Sequence, residues 1–190
     1  TGGRALIARL RMALRDAGIP LWLSSPMTGI VRDDQGRVTG ITITQDGQTR
    51  RIRGRRGVLL ATGGFDHNSE QREKYLPDGV KEDRSLGGAD NTGDGILLAA
   101  ELGAGLGLMD DAWWMPSLTA PSGRMLPLVS ERAIPNQIIV DGSGQRFTNE
   151  ASPYVNFVHD QIAGRHFPAW CVFDARSRAR YPFAQVLAGQ

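Results

Sequence analysis

The sequence predicts an α/β chain in two parts that divide near residue 65. Three observations predict it. Residues 4–17 carry apolar side chains at helical spacing. Residues 27–53 hold three short runs of strand character, parted by turn residues. Residues 57–61 form a continuous apolar run that ends on a glycine turn, after which the pattern changes.

The helix over 4–17 places Leu6, Ile7, Leu10, Leu14 and Ala17 on one face and the arginines with Asp16 on the other. Gly18 stops it and Pro20 forbids its continuation. Leu21-Trp22-Leu23 reads as a short strand. Strands follow over 27–32, 38–44 and 49–53, with Asp33-Asp34-Gln35-Gly36 and Gln45-Asp46-Gly47 supplying the turns. Ile41 and Ile43 alternate with Thr42 and Thr44, which marks a half-buried antiparallel strand. The run Gly57-Val58-Leu59-Leu60-Ala61 does not alternate, as suits a central strand covered on both faces.

Beyond the turn at 62–65, Asn68 or Ser69 can cap a helix running to about Tyr75. A loop rich in Gly and Asp spans 76–91. Thr92-Gly93-Asp94-Gly95 opens a second helix, closed by Gly103. Residues 110–135 hold Trp113, Trp114 and four of the ten prolines, and read as a long functional loop. Residues 137–140 form a strand, 141–144 a tight turn, and Arg146-Phe147 returns from it. Pro153 suits the first turn of a further helix. Residues 169–173 are a strand and 175–181 a short helix.

Hydrophobic residues make up 41% of the 190, enough for a core, and the net charge is only +2. That balance gives no electrostatic reason to expect nucleic acid. The cluster Arg50, Arg51, Arg53, Arg55, Arg56 lies at the end of a hairpin without stacking aromatics, and reads as a solvated face. The single Cys171 excludes an internal disulfide and reads as a buried inert thiol. The longest apolar stretch, 95–109, contains Glu101 and is too short to span a bilayer. The expectation is a cytoplasmic protein with no transmembrane segment, with binding at a membrane surface left open.

Two motifs are set aside. Gly103-Ala104-Gly105-Leu106-Gly107 resembles part of a dinucleotide fingerprint, but a helix precedes it where a strand is required. It reads as a helix stop followed by a strand. His67, His159 and His166 share no metal-ligand spacing, so no metal site is expected. His159 lies five positions after Tyr154, which gives the two no common helix face.

Four motifs stand in order: Gly2-Gly3-Arg4-Ala5-Leu6; Leu60-Ala61-Thr62-Gly63-Gly64-Phe65; Thr92-Gly93-Asp94-Gly95; and Ile138-Ile139-Val140-Asp141 leading to Gly144-Gln145-Arg146-Phe147-Thr148-Asn149-Glu150. Together they resemble the fumarate reductase and succinate dehydrogenase flavoprotein superfamily. Asn149-Glu150-Ala151-Ser152-Pro153-Tyr154, with Pro168-Ala169-Trp170 and Phe173-Asp174, is more specifically similar to the 3-ketosteroid Δ1-dehydrogenases.

The resemblance implies FAD as cofactor. It implies that residues 1–65 are part of an FAD-binding, nucleotide-binding domain. Residues 66–190 would be most of an α+β capping and substrate-binding domain, incomplete at the C-terminus. Thr62, Gly63 and Gly64 lack bulk, so their backbone can approach a dinucleotide; an ordinary strand-ending turn is the alternative. Asp94, beside Gly95, either caps its helix or bonds a hydroxyl of the cofactor. Arg146 and Glu150, with Asn149, form either a pair beside the site or a structural salt bridge, and the structural role is preferred.

Tyr154 occupies the position where fumarate reductases carry an arginine, and it is implied to be a base. A phenol titrates near pH 10 in isolation, and its activated phenolate takes a proton beside a ketone. Trp113, Trp114 and Met115 either line an apolar steroid slot or belong to the core. The implied reaction introduces a double bond beside the carbonyl of an apolar ketone. Hydride goes to FAD and onward to an external electron acceptor. The alternatives are a fumarate reductase-like enzyme acting on another enone or a dicarboxylate, and a non-catalytic binding module. No strand–GxGxxG–helix unit precedes Gly2, so the chain is expected to be an internal piece that binds FAD weakly and is inactive by itself.

Overall fold

The structure is a computed structural model that describes residues 2–81, 85–184 and 186–189. The chain divides into two compact units, Thr1–Ala61 and Thr62–Gln190.

The first unit opens with α1 (Gly2–Asp16). Its end is a glycine stop. Gly18 adopts φ +65°, Ile19 N–H donates to Leu14 C=O and Gly18 N–H to Arg15 C=O, the crossed pair that closes a helix C-terminus. The apolar stripe expected on this helix is present, but no residue of α1 is buried. Strands β1 (Met27–Arg32), β2 (Val38–Gln45) and β3 (Gln48–Arg53) make an antiparallel sheet in that order. Asp46 and Gly47, both at positive φ, form the two-residue turn between β2 and β3, and Gln45 faces Gln48 across it. Ile41 faces Ile30 on one side and Ile52 on the other. The arginines of β3 are exposed, as a solvated face requires.

Two expectations in this unit are corrected. Residues 21–23 form no strand. Residues 57–61 are not paired either, and Leu59 is 90% exposed. A doubly covered strand exists only through its neighbours, and among the described residues none lies beside this run.

The second unit begins with α2 (Ser69–Tyr75), capped by Asn68, whose side-chain oxygen accepts from Gln71 N–H. Next comes α3 (Asp94–Glu101). Residues 104–108 form no strand, and Leu108 sits exposed at positive φ. The region expected to be a loop contains a small hairpin, β4 (Ser117–Thr119) with β5 (Met125–Pro127), and a single 3-10 turn at Glu131–Ala133. Strand β6 (Gln137–Val140) pairs antiparallel with β7 (Trp170–Phe173), and α4 (Tyr154–Ala163) lies between them in sequence. The last helix is α5 (Ala175–Arg180), capped by Asp174 through Ser177 N–H.

The core of this unit is where α4 packs on the β6–β7 pair. Phe157, 2% exposed, is buried with Val158 and Ile139, and Trp114, Phe147, Ile162, Ala169 and Cys171 close around them. Burying a phenylalanine of this kind is worth about 1.5–3 kcal/mol. No helix among the described residues is long and apolar enough to cross a membrane.

Candidate functional site

Two sequence motifs meet in the second unit. The turn Thr62–Phe65 packs on the start of α3. Gly63 has φ +83°, and a Cβ there would overlap the Asn91 side chain. A Cβ on buried Gly95 would overlap the Thr62 side chain, and one on Gly93 would press on Phe65. The contact needs side-chain-free positions on both segments. Around it, Asp66 accepts from Ser85 Oγ (2.8 Å) and Asn91 Nδ2 (3.3 Å), and Asn68 Nδ2 donates to Thr92 C=O (2.8 Å). Burial pushes the Asp66 carboxyl up, but these hydrogen bonds bring it net below the usual carboxylate range. This packing explains why the turn belongs to the second unit rather than the first.

Asp94 does not cap α3. The N-cap is Gly93, in the left-handed region, and it has no side chain to bond the helix. The exposed Asp94 carboxylate accepts from Thr92 Oγ1 (2.9 Å) in the first turn, where the positive end of the helix dipole favours an anion.

The second locus is the start of α4. Pro153 is its N-cap and Tyr154 its first residue, half-buried. The Tyr154 hydroxyl accepts a hydrogen bond from Trp113 Nε1 at 2.8 Å. Trp113 is 79% exposed. Its neighbour turns the other way: Trp114 packs on the core, and its Nε1 donates to Asp111 Oδ1 at 2.7 Å. Trp114 and Met115 line a cavity of about 320 Å³ with Leu128, Ile139 and Phe157, whereas Trp113 and Tyr154 do not. The three residues considered for one apolar slot are therefore not on one wall.

The segment before Tyr154 is held rigidly. Arg146 grips Glu150 with two bonds, Nε–Oε1 at 3.0 Å and Nη2–Oε2 at 2.7 Å, and Glu150 Oε1 also accepts from Ile139 N–H. Burial pushes Glu150 up, but Arg146 and the Ile139 amide outweigh it and hold the carboxyl below its usual range. The pair ties Glu150 to β6. Asn149 Oδ1 accepts from Ala151 N–H and shapes the turn.

Three further residues shape this site: Arg132 and Asp111, which sequence reasoning did not single out, and His159, which it set aside. Arg132 is 3% exposed and donates to the carbonyls of Leu128, Val129, Glu150 and Ser152, with its guanidinium 4.9 Å from the Phe157 ring centroid. Asp111 Oδ1 accepts from Trp114 Nε1, Ala112 N–H and His159 Nε2, the last at 2.8 Å. His159 reaches the site through this loop rather than along its own helix face. No sequence signal distinguishes a buried Arg132 from its exposed neighbours. The Asp111–His159 contact spans 48 residues, beyond the reach of any local pattern.

Cys171 is partly buried, and burial pushes its thiol up to about 11, so it is no nucleophile at neutral pH. Among the described residues, no three His, Cys, Asp or Glu side chains converge to hold a metal.

The profile of the FAD binding domain family matches residues 1–175. This chain belongs to that family. As an FAD binding domain member it is 44% identical to the 3-oxosteroid 1-dehydrogenase of Mycolicibacterium smegmatis, over 99% of this chain and 35% of that protein. It is 32% identical to the 4-oxocyclohex-2-ene-1-carboxylate 5-dehydrogenase of Sinomonas cyclohexanicum, over 95% of this chain and 32% of that protein. The structure superposes with a TM-score of 0.85, at 40% identity, on the 3-ketosteroid delta1-dehydrogenase of Sterolibacterium denitrificans, solved with 1,4-androstadiene-3,17-dione. That match covers 95% of this chain and 34% of that one. The chain thus spans about a third of the length of the relatives it matches. These likenesses agree with a mixed α/β flavoprotein fold.

Proposed function

We propose that the whole flavoprotein carrying this chain is a dehydrogenase acting on CH–CH bonds, which places a double bond beside the ketone of a 3-ketosteroid-like substrate. Tyr154 is the base. Its hydroxyl sits at the first residue of α4, fixed by Pro153 behind it and reached by an indole donor in front. That placement is the single observation that carries the reading. A carbonyl-adjacent proton is weakly acidic, so a positioned base contributes roughly a hundred- to ten-thousand-fold. Arg132, Arg146, Asn149 and Glu150 hold the turn that presents Tyr154; none of them carries the chemistry.

The residues that would hold FAD are Thr62, Gly63 and Gly64 with Asp94 and Gly95. The glycines let the turn 62–65 close on the start of α3, and this leaves the Asp94 carboxylate exposed in the first turn, where it can accept from a hydroxyl of the cofactor. Bound there, FAD supplies the hydride acceptor. In the proposed division, residues 1–65 contribute to the FAD-binding part and 66–190 to the substrate-binding cap. An external electron acceptor would be needed to complete the overall oxidation.

A smaller oxo-ring substrate is the second reading, favoured by the likeness to the dehydrogenase from Sinomonas cyclohexanicum. The test is turnover of the whole flavoprotein with a 3-ketosteroid, a cyclohexenone carboxylate and fumarate, using an artificial electron acceptor. Turnover is expected with the steroid, and Tyr154→Phe is expected to lower kcat at least about a hundredfold. Equal turnover by wild type and Tyr154→Phe would refute the assignment of the base.

A further inference from the structure

The contact between Trp113 and Tyr154 has a fixed polarity. An indole nitrogen donates and never accepts. The 2.8 Å bond therefore directs a hydrogen at the phenol oxygen, and such a bond strengthens when that oxygen carries charge. Trp113 is mostly in water, so it does little for the core by burial.

Trp113 is also held on both sides. Asp111 Oδ1 bonds the backbone of Ala112 before it and the indole of Trp114 after it. The same oxygen takes His159 Nε2 from α4, which joins the loop to the helix that carries Tyr154. His159 is the first cause of the Asp111 carboxyl lying below its usual range. Loop and helix are thus tied at two points, one through His159 and one through Tyr154.

We propose that Trp113 is a catalytic residue acting on Tyr154, donating its indole N–H to the phenolate oxygen, with Asp111 and His159 as positioning residues that set its indole. This rests on the reading of Tyr154 as the base. In the step served, the phenolate oxygen gains the proton of the substrate carbon, and the C–H electron pair stays on the substrate as enolate. The N–H places its hydrogen on the oxygen that reacts, and the bond holds that oxygen in the orientation that proton transfer needs. Asp160 accepts from Thr148 Oγ1, and the Arg132 guanidinium lies over Phe157 one turn along.

The test uses the whole flavoprotein with a 3-ketosteroid and an artificial acceptor. Trp113→Phe keeps the ring face and removes the N–H. Its kcat is expected to fall roughly ten- to a hundredfold at neutral pH, with KM within about twofold. Asp111→Ala and His159→Phe are expected to lower kcat less. Asp111→Asn and His159→Gln, which keep the acceptor and the donor, recover most of it. A Trp113→Phe enzyme with unchanged kcat, or with only KM raised, overturns the proposal while an inactive Tyr154→Phe keeps the base assignment. No rescue by Asp111→Asn and His159→Gln overturns it equally. Turnover by Tyr154→Phe removes the base assignment itself.

Discussion

Arg132 is buried in the second unit, at 3% exposure. A buried guanidinium is costly unless its hydrogens are satisfied, and here four carbonyls and an aromatic face do that. Desolvation lowers its affinity for its proton, yet an arginine stays charged under all ordinary conditions. Arg132→Ala would leave those carbonyls without partners and open a hole beside Phe157. A loss of about 3–5 kcal/mol is expected, read from the urea midpoint of unfolding. Arg132 also shows where sequence reasoning stops at this scale. It lies among four nearby charges and prolines that look like surface, and only the fold reveals its burial. Tyr154 could be singled out for a proposed role because it sits in a motif. Its partner Trp113 was legible only as an aromatic, and a donor role needs the distance.

At the scale of elements, local chemistry decided what was legible. The helix starting after Pro153, the Asp46-Gly47 hairpin and the Asn68 cap each carry their signal within a few residues, and each formed. The β4–β5 hairpin has three residues per strand, too few for alternation to show. The run 57–61 failed for the opposite reason, since a central strand is defined by neighbours rather than by its own pattern.

The turn after β6 supports a pH prediction at this scale. Asp141 accepts from Ser143 Oγ, from Gln145 N–H and Ser143 N–H, and pairs with His166 at 2.9 Å. The Ser143 hydroxyl leads these in holding the carboxyl down at about 2. A depressed folded value means stability that is present above about pH 4 and lost as pH falls toward about 2. Asp141→Asn should flatten that acid limb. Thermal midpoints at pH 5 and pH 2.5 check it: the wild-type chain is expected to lose more between them than the variant.

At the scale of the whole molecule, the chain parts into two compact units at 61/62. The turn 62–65 stays with the second unit because it is bound to residues 91–95, a long-range contact that no local pattern announces. The apolar stripe of α1 and the exposed Leu59 are the larger lesson. Both patterns ask for cover, and cover is a property of what lies opposite. With about a third of its relatives' length, the chain by itself is expected to hold little flavin. The absorbance ratio near 450 and 280 nm after purification checks this, and near-equal flavin and protein would refute it.

The neighbouring indoles at 113 and 114 face opposite surroundings, one in water and one against Phe157 and its companions. They are therefore a natural pair of optical probes. Emission from the outer ring should respond when a ligand settles over the Tyr154 hydroxyl, while the inner ring reports melting of the hydrophobic interior. A single peptide link thus separates a sensor of occupancy from a sensor of integrity.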